Sequence, residues 1–417
     1  MTSLKRNFQK GFTLIELIIT LAILGLLSVI LLLILNPAEV AKQGHDAARL
    51  ADLTSINKAL NVYQVEVSFG SFGTSTIVYT SLLDATATSS AGTTCSSMNL
   101  PTLPSGYTYH CSSVANGRRI DGTGWIPVNL TSIPSGPPIS AWAVDPVNST
   151  SSRTYYTYSV VGNSWHLAGP LEALKYKMGG DKDAVSVDGG LYPDLFEKGV
   201  TLNLIPIDYA DTNLSLFLRF DENGGSSAGD ASGNGLVGTL VNNPTWSTGK
   251  VGSAVTFNGV NSYVSVPDNA VLDPTAVTVT AWVKFNSIPY TGQIAINKEG
   301  QYRLIAGDVD TSHASLRYAT TATGWGSGTL VGSTALAAGR WYHVAATYDG
   351  AAWKLYLNGI QDGSKSESGN LVSGSNPLYI GTQSIGSNPF NGSVDDVHVY
   401  RRALSPQEVA AIYNATK

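Results

Sequence analysis

Few acidic side chains in this chain have company, and each group suggests a particular chemistry. Glu16 stands inside the apolar run LIELIITLAILGLLSVILLLIL, where a lone carboxylate costs roughly 2.5–3.5 kcal/mol on insertion scales, so a partner is expected. Asp181, Asp183 and Asp188 crowd the stretch MGGDKDAVSVDGG. Closely spaced carboxylates on a turn can hold calcium, although this spacing is not that of an EF-hand. Asp395 and Asp396 are adjacent within a strand-like run, so alternation should send them to opposite faces. They are therefore not expected to form the paired carboxylates that glycoside hydrolysis needs. Glu222, Glu299, Glu367 and Glu408 are the other late acids considered, and none lies two or four residues from another. The six histidines show no metal or triad spacing. Cys95 and Cys111 are the two cysteines; a bridge between them closes a loop of about 17 residues, worth roughly 3 kcal/mol, with two free thiols as the alternative. Trp325 sits in the glycine-rich ATGWGSGTL, where core packing does not explain it and stacking on a ligand ring would.

These residues need elements to position them. Residues 1–11 hold Lys5, Arg6 and Lys10 and no acid, and from Leu17 to Leu35 nothing is charged. Nineteen residues at helical rise span roughly 28 Å, about one hydrocarbon core. The basic leader should stay inside and the rest lie across the membrane, where disulfides persist. Asn36-Pro37 should kink or break the helix. Leu53, Ile56, Leu60, Tyr63 and Val67 then recur at 3-4-3-4 spacing, the apolar stripe of a second, amphipathic helix. The next segment, to about residue 205, alternates turn residues with short strands, of which RTYYTYSVVG and SWHLAG, joined by a Gly-Asn turn, are the clearest. Residues 206–213 form a short junction. From 214 on, a dozen or so short alternating runs argue for an antiparallel sandwich. In WKLYLNG, Asn358-Gly359 marks a type I′ hairpin, and Ser405-Pro406 with Glu408 marks a capped C-terminal helix. Charged residues are 13% and the net charge is −5, which gives no broad footprint for nucleic acid.

Two resemblances follow from these residues. The leader, Gly11 and FTLIEL resemble the signal of type IV pilins and type II secretion pseudopilins. That resemblance implies cleavage between Gly11 and Phe12 by the prepilin peptidase, then N-methylation of Phe12. It also implies that Glu16 pairs with the new amino terminus of a neighbouring subunit. Each of those charges is costly in lipid alone, and meeting partly offsets both desolvation costs. WIPVNLTSIPSGPPISAWAVDPVN resembles heads of pseudopilin-like proteins, some of which hold calcium in a late loop such as the one carrying Asp181, Asp183 and Asp188. FDENGGSSAGDASGNGLVGTL, GRWYHVAATYDGAAWKLYLNG and NGSVDDVHVYRRALSPQEVAAIY resemble the concanavalin A-like, laminin G-like jelly roll of bacterial surface proteins. That family implies two sheets of six or seven strands, and a structural calcium held by Asp230 and Asp396, with Asp395 as competitor.

The expected architecture is a leader (1–11), a transmembrane and assembly helix (12–35), an amphipathic helix with an α+β pilin-like head (36–205), a linker (206–213) and an all-β jelly roll (214–417). The expected role is a minor or tip filament subunit whose jelly roll recognises glycan or protein at the bacterial surface. It would sit in the inner membrane before assembly and outside the cell afterwards, without catalysis. A pseudopilin of a secretion machine is the alternative reading, and an anchored glycoside hydrolase is a further one.

Overall fold

The protein is described by a computed structural model over residues 13–88, 91–287, 292–306, 313–325, 328–384 and 387–417, without the side chains of 29–35. Helix α1 (Leu14–Leu35) and helix α2 (Pro37–Glu66) meet at Asn36, whose backbone is left-handed at φ 38°. The residue before proline is pushed out of helical geometry, and asparagine tolerates the left-handed region. Asn36 also caps the second helix, its side chain accepting from the Glu39 N–H. The break therefore falls where the Asn-Pro pair places it. The described side chains of α1 are exposed, with nothing packed against them. Among the described residues no helix is long and apolar enough to cross a membrane.

The stripe on α2 is buried as its spacing requires: Leu53, Ile56 and Leu60 are inaccessible and Tyr63 nearly so, while Val67 is half-buried at the helix end. It packs on a sheet of β1 (Ile77–Asp84), β2 (Thr108–Ser113), β3 (Thr157–Val161), β4 (Ser164–Pro170) and β5 (Leu195–Gly199), in the order β2-β1-β3-β4-β5. The first pair is parallel and the remaining pairs are antiparallel. Gly169 lets helix and sheet close, since a β-carbon there would come within 2.8 Å of Tyr156 and 3.2 Å of Leu53. Trp165 stacks on Phe72 at 5.3 Å and donates to Asn57 Oδ1 on α2.

One contact against α2 is ionic. Arg49, fully buried, donates to Asp145 through Nε (2.6 Å) and a terminal nitrogen (3.0 Å), and to Asp46 (2.8 Å) and Glu172 (2.6 Å). Burial works against its charge, but Asp145, then Asp46 and Glu172, hold the guanidinium above its usual range. Nearby, His166 Nε2 lies 2.7 Å from Glu197 Oε1 with both side chains inaccessible. The distance suits an ion pair, yet burial depresses the imidazole to about 3 and raises the carboxyl well above normal. Burial thus works against the charged form of both partners.

The second unit is a β-sandwich. Among the described residues each sheet has eight strands rather than the six or seven expected. The front sheet runs Ile360–Ser366, Ala352–Leu357, Trp341–Tyr348, Val277–Phe285, Asn391–Tyr400, Ser253–Asn258 and Thr245–Thr248, with Leu214–Leu218 also paired to Asn391–Tyr400. The back sheet runs Gly328–Ala335, His313–Tyr318, Tyr302–Ala306, Gln293–Lys298, Leu378–Ile380, Tyr263–Val266, Gly238–Val241 and Ser227–Ala228. Asn358 and Gly359 both have positive φ (50° and 77°), as a type I′ hairpin demands. Between the sheets lie Val279, Val264, Ile296, Leu355 and Trp353. Trp282 is buried too, whereas Trp246 and Trp341 are only half-buried.

The two units share one core. Helix α3 (Pro406–Thr416), with the Ser405/Glu408 capping box, buries Val409 and Ile412 in the same cluster as Tyr192, Ile207 and Tyr209 before the sandwich and Phe217 and Tyr400 within it. Each such aliphatic side chain contributes about 1.5–3 kcal/mol. Arg402 pairs with Asp211 (2.8 Å) and Glu408 (2.6 Å), and the Asp208 N–H donates to Ala231 O. Ile205, Ile207 and Tyr209 are inaccessible, so the junction at 206–213 is packed rather than slack.

Candidate functional site

The residues singled out in the sequence fall in four places. At the start of α1, Thr13 and Glu16 form a reciprocal cap: the Thr13 N–H (2.9 Å) and hydroxyl (2.8 Å) donate to Glu16 Oε2, and the Glu16 N–H donates back to Thr13 Oγ1. The carboxylate is exposed and held at the first turn of the helix. This cap was missed in the sequence, although Thr-x-x-Glu ahead of an apolar run is its signature. Gly11 and Phe12 lie outside the described residues.

Cys95 and Cys111 are joined, Cα–Cα 5.4 Å, tying the loop after β1 to β2. Of the acidic turn, Asp181 is exposed. Asp183 accepts from the Val185, Ser186 and Gly179 N–H groups (3.1, 3.0 and 2.7 Å) and from the Ser186 hydroxyl. Asp188 accepts from the Gly190 and Glu197 N–H groups (2.8 and 2.6 Å), and burial, then Glu197, pushes it up to about 8. These carboxylates organise their own turn.

In the sandwich, Asp230 is buried and accepts four bonds, from the Phe217, Ser232 and Leu236 N–H groups and the Ser232 hydroxyl. These four donors hold the carboxylate in place within its loop. Among the described residues no group of three or more His, Cys, Asp or Glu is placed to hold a metal ion. Asp395 and Asp396 correct the expectation of opposite faces. In the pairing of Asn391–Tyr400 with Val277–Phe285, Asp396 and Val397 stand against the single Ala281, and Asp396 is left-handed at φ 47°. Such a bulge breaks the alternation. Both carboxylates are consequently buried and within electrostatic reach of Asp221. Burial, then Asp396 and Asp221, pushes Asp395 up; burial and Asp221 push Asp396 up against the pull of Arg219.

Trp325 lies over the Arg303 guanidinium at 4.9 Å, half-buried. Arg303 donates to Asn297 Oδ1 (2.9 Å) and Glu299 (2.7 Å), and Asn297 donates to Gln383 O. Register places Ser265, Tyr379, Asn297, Arg303 and Arg317 side by side across the back sheet. Trp325 thus packs over Arg303 within a polar row on the outer face, in place of standing free in its loop.

Sequence reasoning gave no hint of a cleft of about 780 Å³ where the sandwich meets the strap 102–107 and residues 203–206. Its walls come from segments a hundred residues apart, and no local pattern links them.

Comparison with known proteins is consistent with this anatomy. Residues 6–32 match the prokaryotic N-terminal methylation motif, and residues 258–410 match the concanavalin A-like lectin/glucanases superfamily. No curated protein matches the chain. Among solved structures, domain 4 of the extracellular arabinanase AbnA from Geobacillus stearothermophilus, in complex with arabinotriose, is 24% identical over 48% of this chain and 98% of its own (TM-score 0.40). The binding domain of Paraclostridial Mosquitocidal Protein 1 is 18% identical over 48% of this chain and 52% of its own (TM-score 0.41). Trypanosoma rangeli sialidase in complex with 2,3-difluorosialic acid is 18% identical over 49% of this chain and 33% of its own (TM-score 0.37). This chain therefore spans about half the length of the second and a third of the third. The methylation motif implies export, processing by the prepilin peptidase and assembly with other pilin subunits. The chain thus carries the type IV pilin methylation motif at residues 6–32 and, at 258–410, a domain matching the concanavalin A-like superfamily.

Proposed function

We propose that this protein is a minor or tip subunit of a pilin-like filament that presents its jelly roll for adhesion to glycan or protein at the bacterial surface. The observation that carries the reading is the pairing, on one chain, of a methylation motif with a concanavalin A-like domain. The α+β unit on α2 serves as the pilin-like head, and its shared core with the sandwich supports rigid presentation. In this reading the leader is cleaved after Gly11 and α1 rests in the inner membrane until assembly. The Glu16 carboxylate then exchanges its Thr13 donors for the methylated Phe12 ammonium of a neighbour. The jelly roll is a recognition module rather than an enzyme, and so large an addition suits a sparse position better than every subunit of a regular filament.

Mass spectrometry of material sheared from intact cells, set against the membrane fraction, tests this. A peptide beginning at N-methylated Phe12 is expected in the sheared filaments. The same peptide confined to membranes would favour a secretion pseudopilus, and an uncleaved leader would remove the assembly role altogether.

A further inference from the structure

The cleft between the two units has the size of a ligand site and is built from both of them. One wall is the strap 102–107, with residues 203–206 beside it; the other is the sandwich from Arg219 to Asn223 and from Ser247 to Ser253. The strap is fixed in place. The Thr102 N–H donates to Gly233 O (2.9 Å), and the Tyr109 hydroxyl donates to Pro101 O (3.0 Å). Pro101 sits so close that a β-carbon on Gly233, whose φ is +79°, would come within 2.6 Å of it. The cleft is therefore preformed.

Its charged groups are already engaged. Arg219 is nine-tenths buried and donates to the Tyr192 hydroxyl (3.1 Å) and to Asp221 (2.6 Å). Asp230 has its four donors, and Glu222 Oε1 accepts from the Gly229 N–H. An anion would meet three carboxylates against one guanidinium, and a cation would have to displace the donors that already hold Asp221, Glu222 and Asp230. An apolar ligand would strip water from these acids without replacing its hydrogen bonds. What the walls still offer is neutral. Asn203, Ser227 and Thr248 can each donate and accept. The Tyr107 ring and Pro206 supply flat apolar surface for a pyranose face.

We infer that the cleft binds a short neutral oligosaccharide, gripped by the head strap and the sandwich together. The inference rests on the recognition role proposed above and gives it a place and a ligand class.

The test uses the full chain in a detergent without a sugar headgroup. Isothermal titration would be run with maltotriose, cellotriose, xylotriose and mannotriose, with sialyllactose and trilysine as charged comparators. At least one neutral trisaccharide should bind. Its Kd should rise tenfold or more in Tyr107→Ala and in Thr248→Tyr, which fills the cleft from an exposed edge-strand position, with near-ultraviolet circular dichroism unchanged. Trp325→Ala, on the back sheet, should leave it within twofold. Should Tyr107→Ala fail to fold, Thr248→Tyr carries the same expectation alone. No binding by any neutral probe, binding of only the charged ones, or loss on Trp325→Ala with Thr248→Tyr unaffected would overturn the inference. Because the filament role is read from the Phe12 peptide, the two can fail separately.

Discussion

Replacing Arg49 by methionine isolates the ionic contact of the helix. The substitution keeps an unbranched side chain of similar reach and removes four donor contacts, two of them to Asp145. Asp46 and Asp145 then remain buried with no cation. Breaking a buried pair in this way costs about 3–5 kcal/mol. Both acids keep backbone donors, Glu172 and Ala173 for Asp46 and Val147 and Asn148 for Asp145, which places the effect near the lower figure. Glu172 is partly exposed and adds little. A loss of about 3 kcal/mol corresponds to roughly a hundredfold change in a local opening equilibrium. Hydrogen exchange followed by mass spectrometry on the full chain should show peptides covering residues 46–63 exchanging faster by that order. Arg49→Lys keeps the charge but not the fork, and should fall between the two. Adding Asp145→Asn to Arg49→Met should recover part of the loss, because the penalty lies in the stranded charge. Exchange within threefold of the parent chain in Arg49→Met would refute the reasoning.

Two further outcomes are expected. His166, His343 and His398 are depressed by burial to about 3, so their contribution is present above their unfolded pKa of about 6.5 and is lost as pH falls. Asp188 is raised to about 8, with Glu197 and Asp194 also raised, chiefly by burial; their contribution is complete below about pH 4 and lost as pH rises through the folded values. The two sets oppose each other up to about 6.5, above which only the acids act, so Tm should fall from pH 6.5 to 9; a flat or rising profile would contradict the assignment. Reducing Cys95–Cys111, sixteen residues apart, should cost about 3 kcal/mol of stability, seen as a lower urea midpoint with reductant, and an unchanged midpoint would show that the loop is held without it.

Features written in short spacings were legible in the sequence. The 3-4 stripe on α2, the Asn-Pro break, the Asn-Gly hairpin and the Ser-Pro-x-Glu cap each depend on residues within a turn or two, and each appears in the structure. Whatever depends on distant partners was not legible. Arg49 stands one turn ahead of Leu53, in line with the apolar stripe, but nothing in that spacing shows Asp145, ninety-six positions on, as its partner. Alternation misled at Asp395-Asp396 because the bulge depends on which strand lies alongside, not on those two residues. Trp325 was singled out by its glycine-rich loop, but the arginine beneath it comes from another strand. The cleft was invisible for the same reason.

The packed junction between the units has a mechanical consequence. A tug on anything held by the sandwich cannot be absorbed by a tether paying out, because residues 205–209 are locked in the common interior and Arg402 clasps Asp211 from the sandwich side. The strain passes into Leu214–Leu218, which is hydrogen-bonded along Asn391–Tyr400 near the middle of the front sheet. Pulling along that pairing loads its bonds in shear, many at once, so the molecule meets traction as a stiff bracket and not as a swivel.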